Sequence, residues 1–229
     1  MIPTDAPIPQ IDDLLTTYQQ TMRQCTRCVE TGFLTEAHPV FRGHAGQRQM
    51  IVGQAPGARG HADGIPWSGP VGVLLSGWLQ QAGFPRETFL DDWYLTSLTK
   101  CFPGKAPSGK GDRAPSMKEI RLCADHLATE IALVRPQLIV ALGRLAIVRL
   151  LPEMRGASLA ELVGTLHHAD LGYGEIPIIS LPHPSGVSRW RNDPANRART
   201  DRALALLSRE RERLHLGGSS SPDHESEAD

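Results

Sequence analysis

Four cysteines are the residues of this chain best suited to holding a metal. Cys25 and Cys28 form a C-x2-C pair, whereas Cys101 and Cys123 lie far downstream and are separated by 21 residues. Four thiolates can bind a zinc ion or an iron–sulfur cluster. Zinc ribbons usually contain two C-x2-C pairs and this chain contains one, so the spacing leaves open zinc, a cluster, or two buried cysteines and a chance pair. Disulfides are less expected, because the sequence begins without a basic and apolar secretion leader.

The composition indicates a folded domain with concealed basic character. The 229 residues are 40% hydrophobic and 21% charged, and no apolar run approaches the roughly 18 residues of a membrane span. The net charge is −1, but the tail 217–229 holds four acids and no Lys or Arg, so its removal turns −1 into +3. Five basic residues and one acid fall within 100–118, and eight Arg and four acids within 189–213. We expect a cytoplasmic monomer without membrane contact, in which the segment 100–118 and the first turns of 189–213, with Arg189 and Arg191, meet nucleic-acid phosphates, while the rest of 189–213 is a solvated face.

Short apolar runs alternate with helical patterns along the chain. Four of these runs are predicted to form buried strands: residues 50–52, 93–99, 138–142 and 176–181. The order predicts an α/β single-domain three-layer sandwich, with a mostly parallel four-stranded sheet and helices on both faces. The domain is predicted over residues 1–216 and a disordered acidic tail over 217–229. Ser116 and Glu119 form a capping-box pattern, which predicts the start of a helix that contains Cys123.

Three unusual loops each follow a predicted strand directly. They cover residues 53–69, 97–101 and 183–189. In parallel sheets, ligands bind at the carboxyl ends of the strands, where such loops meet. The sequence therefore predicts one cleft built from these three loops.

An ordered set of short motifs resembles a known family. The chain contains, in this order, the C-x2-C pair, GQAPG, DGIPWSG, TSLTKCFP, a cysteine in the next helix, VALG and HPS. From about Cys25 to Leu207 it resembles the iron–sulfur uracil-DNA glycosylases, the family-four branch of the uracil-DNA glycosylase superfamily. The resemblance implies a structural [4Fe–4S] cluster on all four cysteines. It also implies a monofunctional DNA-repair hydrolase, which cleaves the N-glycosidic bond of deoxyuridine in DNA, releases uracil and leaves an abasic site.

The resemblance also assigns the catalytic residues. Cleavage passes through an oxocarbenium-like state while negative charge grows on the leaving uracil, so the site needs a group that stabilises that charge and a held water. His183 occupies the position of the histidine that meets a uracil oxygen. Gln54 and the backbone of Ala55 belong to the water and uracil site. His61 or Asp63 is a further candidate for handling the water.

Binding residues are assigned in the same way. The base must leave the stack and enter a pocket with an aromatic wall. Trp67 is expected to stack on uracil, Gly53 and Ser97 are placed in the substrate site, and Ser185 is expected to contact phosphate or fix its loop. For DNA itself, three contacts are predicted: Val187 as the tip of a wedge in the minor groove, and Arg189 and Lys100 on phosphates.

Two departures from the family pattern keep other functions open. The family usually has glutamate at position 54 and asparagine at position 97, where this chain has Gln54 and Ser97. A serine offers fewer hydrogen-bonding groups than an amide, so the range of bases could be wider. The alternatives are a glycosylase for another deaminated base and a non-catalytic binder of damaged or single-stranded DNA. An unrelated zinc-holding α/β hydrolase is disfavoured by the missing second C-x2-C pair.

Overall fold

The computed structural model of the chain describes residues 8–185 and 189–217. Its strands are β1 (Gln49–Gly53), β2 (Trp93–Ser97), β3 (Leu138–Leu142), β4 (Leu166–Asp170) and β5 (Glu175–Leu181). Its α-helices are α1 (Ile8–Arg23), α2 (Arg27–Glu30), α3 (Ala58–Asp63), α4 (Pro70–Gln81), α5 (Phe89–Asp92), α6 (Met117–Leu122), α7 (Ala124–Val134), α8 (Arg144–Leu150), α9 (Leu159–Leu162) and α10 (Pro194–Arg213). Short 3-10 turns occupy Pro152–Met154 and Arg189–Asn192.

The described strands form one five-stranded sheet in the order β2-β1-β3-β5-β4. Neighbours from β2 to β5 pair in parallel, whereas β4 pairs antiparallel with β5. The predicted α/β fold with a mostly parallel sheet is confirmed, and the prediction of four strands is wrong. The missed strand, β4, lies at the sheet edge, and its sequence Leu-His-His-Ala-Asp is partly exposed. It therefore lacks the continuous apolar run that marks a strand buried on both faces.

Alternate residues of the central strands pack into two separate clusters. Met50 and Val52 belong to one cluster, together with buried residues of α1, α7 and α8. Ile51 belongs to the other, with buried residues of α4 and α10. The same alternation separates Ile139 from Val140 in β3. Every residue of β1, β2 and β3 is buried. β3 is therefore a continuous apolar run, and β1 and β2 each contain a run of three apolar residues, which explains why these strands were predictable.

The predicted capping box is present at the start of α6. Ser116 Oγ accepts a hydrogen bond from the Glu119 N–H, and the Glu119 carboxylate accepts one from the Ser116 N–H. Arg113 donates two further bonds to this carboxylate, and its guanidinium lowers the pKa of Glu119 to about 2. The helix does not continue through Cys123 as predicted. Instead, α6 ends at Leu122 and α7 begins at Ala124, with Cys123 at the junction.

Some predictions concern residues that the structure does not describe. The proposed wedge residue Val187 falls in the undescribed segment 186–188, and the predicted tail is undescribed beyond Gly217. Within the described ranges, no helix is long and apolar enough to cross a membrane.

Candidate active site

A cleft of about 650 Å³ opens at the carboxyl ends of the parallel strands. It is bordered by the loops after β1, β2, β3 and β5, so the three loops predicted to converge do meet. Most of the catalytic and binding residues predicted from sequence line it: Gln54, Ala55, Trp67, Ser97, His183 and Ser185. The loop after β3, which is not one of the three predicted loops, adds Gly143 and Arg144 to the wall.

Trp67 forms an aromatic wall of the cleft in an unusual backbone conformation. Its φ is +58°, in the left-handed region that bulky residues rarely adopt. Gly53 allows the ring to lie against the end of β1, because a Cβ on Gly53 would be 2.6 Å from Trp67 Cζ2. Gly72 makes room for the Trp67 carbonyl, which would be only 1.6 Å from a Cβ at position 72. Strained residues held by their surroundings in this way are concentrated at functional sites.

His183 faces Trp67 across the cleft. The two ring centroids are 5.9 Å apart and the ring planes are inclined by 48°. A Cβ on Gly143 would be 3.4 Å from His183 Cβ, so the loop after β3 packs closely behind the histidine. Burial lowers the pKa of His183 below its usual 6.5. A neutral imidazole at pH 7 keeps one N–H, with which it can donate to an oxygen that gains negative charge.

The ends of β1 and β2 are fastened together beneath the cleft. The Leu98 N–H donates to the Gly53 carbonyl at 2.9 Å, and the Thr99 N–H donates to the Gln54 carbonyl at 3.2 Å. The Ser97 hydroxyl donates to the Thr99 carbonyl at 2.8 Å. Its single proton is therefore committed, and Ser97 Oγ can meet a ligand only as an acceptor.

Basic side chains give the cleft a positive rim. Arg59 and Arg144, which sequence analysis did not single out, line it together with Lys105. One acidic residue, Asp112, lines it among the described residues. The Asp112 carboxylate accepts from the Ala58 N–H at 2.9 Å and from Lys105 Nζ at 2.8 Å. Asp112 thus ties the basic segment 100–118 to the start of α3, which a pattern of charges could not reveal.

Lys100 is not at the surface, and the prediction that it contacts DNA phosphate is wrong. Its side chain is 2% exposed, and its Nζ lies 2.6 Å from Glu130 Oε2. The same Nζ donates to Thr96 Oγ1 and to the Ser97 carbonyl, both at 2.6 Å. The Glu130 carboxylate also accepts from Tyr94 and Thr96. Lys100 therefore belongs to a buried polar network between β2 and α7.

The four cysteines form no disulfide, and Cys101 and Cys123 are buried. Burial raises the pKa of Cys101 to about 12, and the electrostatic influence of Cys28, Cys123 and Cys25 adds to the rise. Burial likewise raises the pKa of Cys28 to about 11, with contributions from Cys123 and Cys25. These thiols therefore influence one another electrostatically, although up to 98 positions separate them in sequence. In the part of the chain that the structure describes, no group of three or more His, Cys, Asp or Glu side chains qualifies as a site for a metal ion.

The elements that carry the cysteines are joined by an ion pair. Arg27 Nη1 lies 2.7 Å from the nearer oxygen of Asp125, which joins α2 to the start of α7. Cys25 and Cys28 flank the beginning of α2, and Cys123 immediately precedes α7. The pair is largely exposed, so it fixes geometry more than it adds stability.

The other predicted site residues have mixed outcomes. Ser185 lines the cleft, whereas neither His61 nor Asp63 does. Arg189 begins the 3-10 turn after the undescribed segment, and its side chain is not described.

The described geometry defines an α/β domain whose strand-end cleft combines an aromatic wall, a histidine and a basic rim. The sequence profile of the uracil DNA glycosylase superfamily matches residues 41–208. The chain belongs to this superfamily.

Individual relatives agree with the family-four resemblance. The chain is 27% identical over 190 residues to a type-4 uracil-DNA glycosylase of Pyrobaculum aerophilum, which covers 82% of this chain and 90% of the relative. It is 29% identical over 140 residues to the type-4 enzyme of Archaeoglobus fulgidus, covering 60% of this chain and 65% of that protein. A type-4 enzyme of Sulfurisphaera tokodaii is 31% identical over 133 residues, or 58% of this chain and 56% of the relative.

Proposed function

We propose that this protein is a DNA-repair glycosylase that excises uracil from DNA. The single observation that carries this function is the pairing of Trp67, held at positive φ, with His183 across a cleft at the strand ends. Membership of the superfamily and the names of the relatives support the same activity. The non-catalytic alternative is not favoured.

Two cleft residues, Trp67 and Ser97, bind the base. A base that has left the stack lies against the Trp67 ring, since aromatic stacking holds bases in such pockets. Ser97 Oγ accepts from the N3–H of uracil, because its own proton is committed to Thr99. Cytosine carries a lone pair instead of a proton at N3, so its N3 and Ser97 Oγ would be two acceptors facing each other with no proton between them. Ser97 thus supplies selectivity for the deaminated base.

Bond cleavage needs stabilisation of the leaving base and a positioned water. As the glycosidic bond breaks, its electron pair moves onto the uracil ring, and the His183 N–H donates a hydrogen bond to the carbonyl oxygen of the base that gains the charge. A water adds to the sugar carbon and loses a proton to solvent, which completes the hydrolysis. Gln54 and the backbone of Ala55 hold this water. Gln54 acts through hydrogen bonds alone, because an amide cannot take up the proton.

We further propose that the four cysteines hold a [4Fe–4S] cluster. The donor set fits, because such a cluster takes one thiolate on each of four irons and the fold brings the four thiols into mutual electrostatic range. When bound, the cluster cross-links the segments around α2, β2 and α7. The role is structural, since the chain needs no electron transfer to hydrolyse a glycosidic bond.

The basic rim suits the backbone of DNA. Arg59, Lys105 and Arg144 border the cleft. Arg59 is paired with Asp63 at 2.7 Å and Lys105 with Asp112 at 2.8 Å, so among the described ion pairs none offsets the charge of Arg144, which is best placed to neutralise a phosphate beside a flipped nucleotide. Val187 as the wedge and Arg189 as a phosphate contact remain predictions. A three-layer sandwich that acts as a cytoplasmic monomer completes the proposal.

Cleavage of matched oligonucleotides tests the proposed function. Uracil, hypoxanthine, xanthine, cytosine and thymine are placed at one position in single- and double-stranded DNA, and alkali reveals abasic sites. Excision of uracil, with cytosine and thymine untouched, is the expected result. Binding of uracil DNA without cleavage by a folded, iron-replete protein would contradict the proposal in favour of the non-catalytic binder.

A further inference from the structure

A histidine contacts one of the four cysteines through its ring nitrogen. His126, in α7, places Nε2 3.4 Å from Cys25 Sγ. Its other ring nitrogen, Nδ1, lies 2.7 Å from the hydroxyl of Tyr18 in α1. His126 is only 4% exposed, whereas Tyr18 and Cys25 are half-buried, so both contacts are partly shielded from solvent. Neither the cleft nor its chemistry uses this chain of three residues.

The chemistry of the cysteine determines which atoms of Tyr18, His126 and Cys25 carry the protons of these two hydrogen bonds. A cysteine that binds iron is a thiolate, which has no proton and can only accept hydrogen bonds. His126 Nε2 must therefore carry a proton and donate a hydrogen bond to Cys25 Sγ. In the neutral imidazole the other nitrogen is then an acceptor, so the Tyr18 hydroxyl donates to Nδ1. Tyr18 thus selects the tautomer of His126 that can donate to the thiolate.

We propose that His126 is a positioning residue for the iron–sulfur cluster. Its Nε2–H donates a hydrogen bond to Cys25 Sγ and so holds Cys25 in place as a ligand, and Tyr18 fixes the tautomer of His126 that can donate. The inference rests on the proposed cluster and adds a role for residues outside the ligand set. A donor to the sulfur withdraws negative charge from the thiolate and restrains its rotation. Cys25 has particular need of restraint, because its side chain is less buried than those of Cys101 and Cys123.

Five variants of the purified holoprotein separate this role from simple packing. His126→Leu removes the donor, His126→Gln keeps an amide N–H at similar reach, and Tyr18→Phe removes the hydroxyl. Tyr173→Phe is the matched tyrosine control, because the Tyr173 hydroxyl donates to the Pro136 carbonyl instead. His168→Leu is the histidine control, since His168 is exposed in the edge strand β4.

The measurements are iron release to a chelator, the visible circular dichroism of the sulfur-to-iron absorption, and the free energy of unfolding. Loss of outer contacts to metal ligands commonly weakens metal binding about 10–100-fold, so His126→Leu should release iron faster by that order. Tyr18→Phe should show a smaller change in the same direction. His126→Gln should release iron at close to the wild-type rate. The visible band should shift in His126→Leu and stay unchanged in both controls.

Two results would overturn the role of His126. One is iron release and a visible band in His126→Leu that match those of His168→Leu. The other is faster iron release from His126→Leu without a shift of the visible band, together with equally fast release from His126→Gln. That pattern would mean that the substitutions only disturb packing. An iron-free wild-type protein would overturn the cluster and this role together. An iron-replete wild type with unaltered variants overturns this role alone and leaves the cluster and the glycosylase standing.

Discussion

The indole ring of Trp67 lies against the backbone of Gly53, at the point where β1 ends. Any side chain at position 53 would enter the ring, since a Cβ there would be 2.6 Å from Cζ2 and 2.7 Å from Cη2. A Cβ atom essentially never comes this close to a non-bonded carbon, so a substituted residue must displace the indole. The aromatic wall of the cleft therefore depends on a glycine in the sheet as much as on the tryptophan itself.

Gly53→Ala should impair base capture through displacement of Trp67. Stacking of a base on an aromatic side chain contributes about 1–3 kcal/mol, which corresponds to roughly 5- to 150-fold in single-turnover excision at low enzyme concentration. Trp67→Ala should cause a loss of the same order. Gly77→Ala in α4 is the matched control, because no atom lies within 4 Å of a Cβ there. Full activity of Gly53→Ala would show that the ring position does not matter.

Lys100→Met should destabilise the fold and leave the salt dependence of DNA binding unchanged. The substitution leaves the Glu130 carboxylate, which is 0% exposed, without its cationic partner. Removal of one partner of a buried ion pair lowers the free energy of unfolding by about 3–5 kcal/mol. Lys100→Met with Glu130→Gln should recover most of this loss, since the amide keeps partners for Tyr94 and Thr96. Denaturant unfolding measures both variants.

Arg144→Met is the contrasting variant for DNA binding. Arg144 lines the cleft and is anchored by the carbonyl of Ala157 at 3.1 Å. Loss of one phosphate contact reduces the slope of log binding constant against log salt by about 0.9. A reduced slope for Lys100→Met, rather than for Arg144→Met, would mean that Lys100 reaches DNA after all.

Cys101→Ala should lose iron and stability together. The buried Cys101 directly follows Lys100, whose Nζ donates to the carbonyl of Ser97 at the end of β2, so a missing ligand loosens the elements below the cleft. Metal analysis, the visible spectrum and the melting temperature report the effect. A well-folded Cys101→Ala protein with a full complement of iron would refute the proposed ligand set.

His183 should make the fold less stable as the pH falls below about 6.5. Burial lowers its pKa in the folded state, so the unfolded chain binds a proton at a higher pH than the native protein does. The contribution of His183 to the free energy of unfolding is constant above its pKa in the unfolded chain. As the pH falls from that pKa to the lower pKa of the folded state, the contribution declines by at most about 1.4 kcal/mol per pH unit. Unfolding of wild type and His183→Gln from pH 7.5 to 5 isolates this slope, since the other histidines cancel. Parallel pH profiles would contradict it.

Much of the framework is local in origin and was therefore predictable. β1 and β3 are buried on both faces, so they appear as short apolar runs, and the capping box of α6 needs only Ser116 and Glu119. The convergence of three loops follows from the parallel order of the strands. These features depend on neighbours along the chain or on general rules of topology.

What sequence reasoning missed depends on tertiary neighbours. Lys100 lies in a basic segment and resembles a surface residue, until Glu130 from α7 is placed 2.6 Å from its ammonium group. β4 is half exposed and becomes a strand only by pairing with β5. The contact of His126 with Cys25 joins residues 101 positions apart, and no motif marks it.

The release of free uracil by wild type and by His183→Ala, measured beside DNA binding, tests the central claim most directly. If His183 stabilises the charge on the departing base, the variant should bind uracil DNA almost normally and release uracil about 100- to 1,000-fold more slowly. Equal losses of binding and release would show a structural histidine. Undiminished uracil release by His183→Ala would contradict the account of catalysis at this cleft.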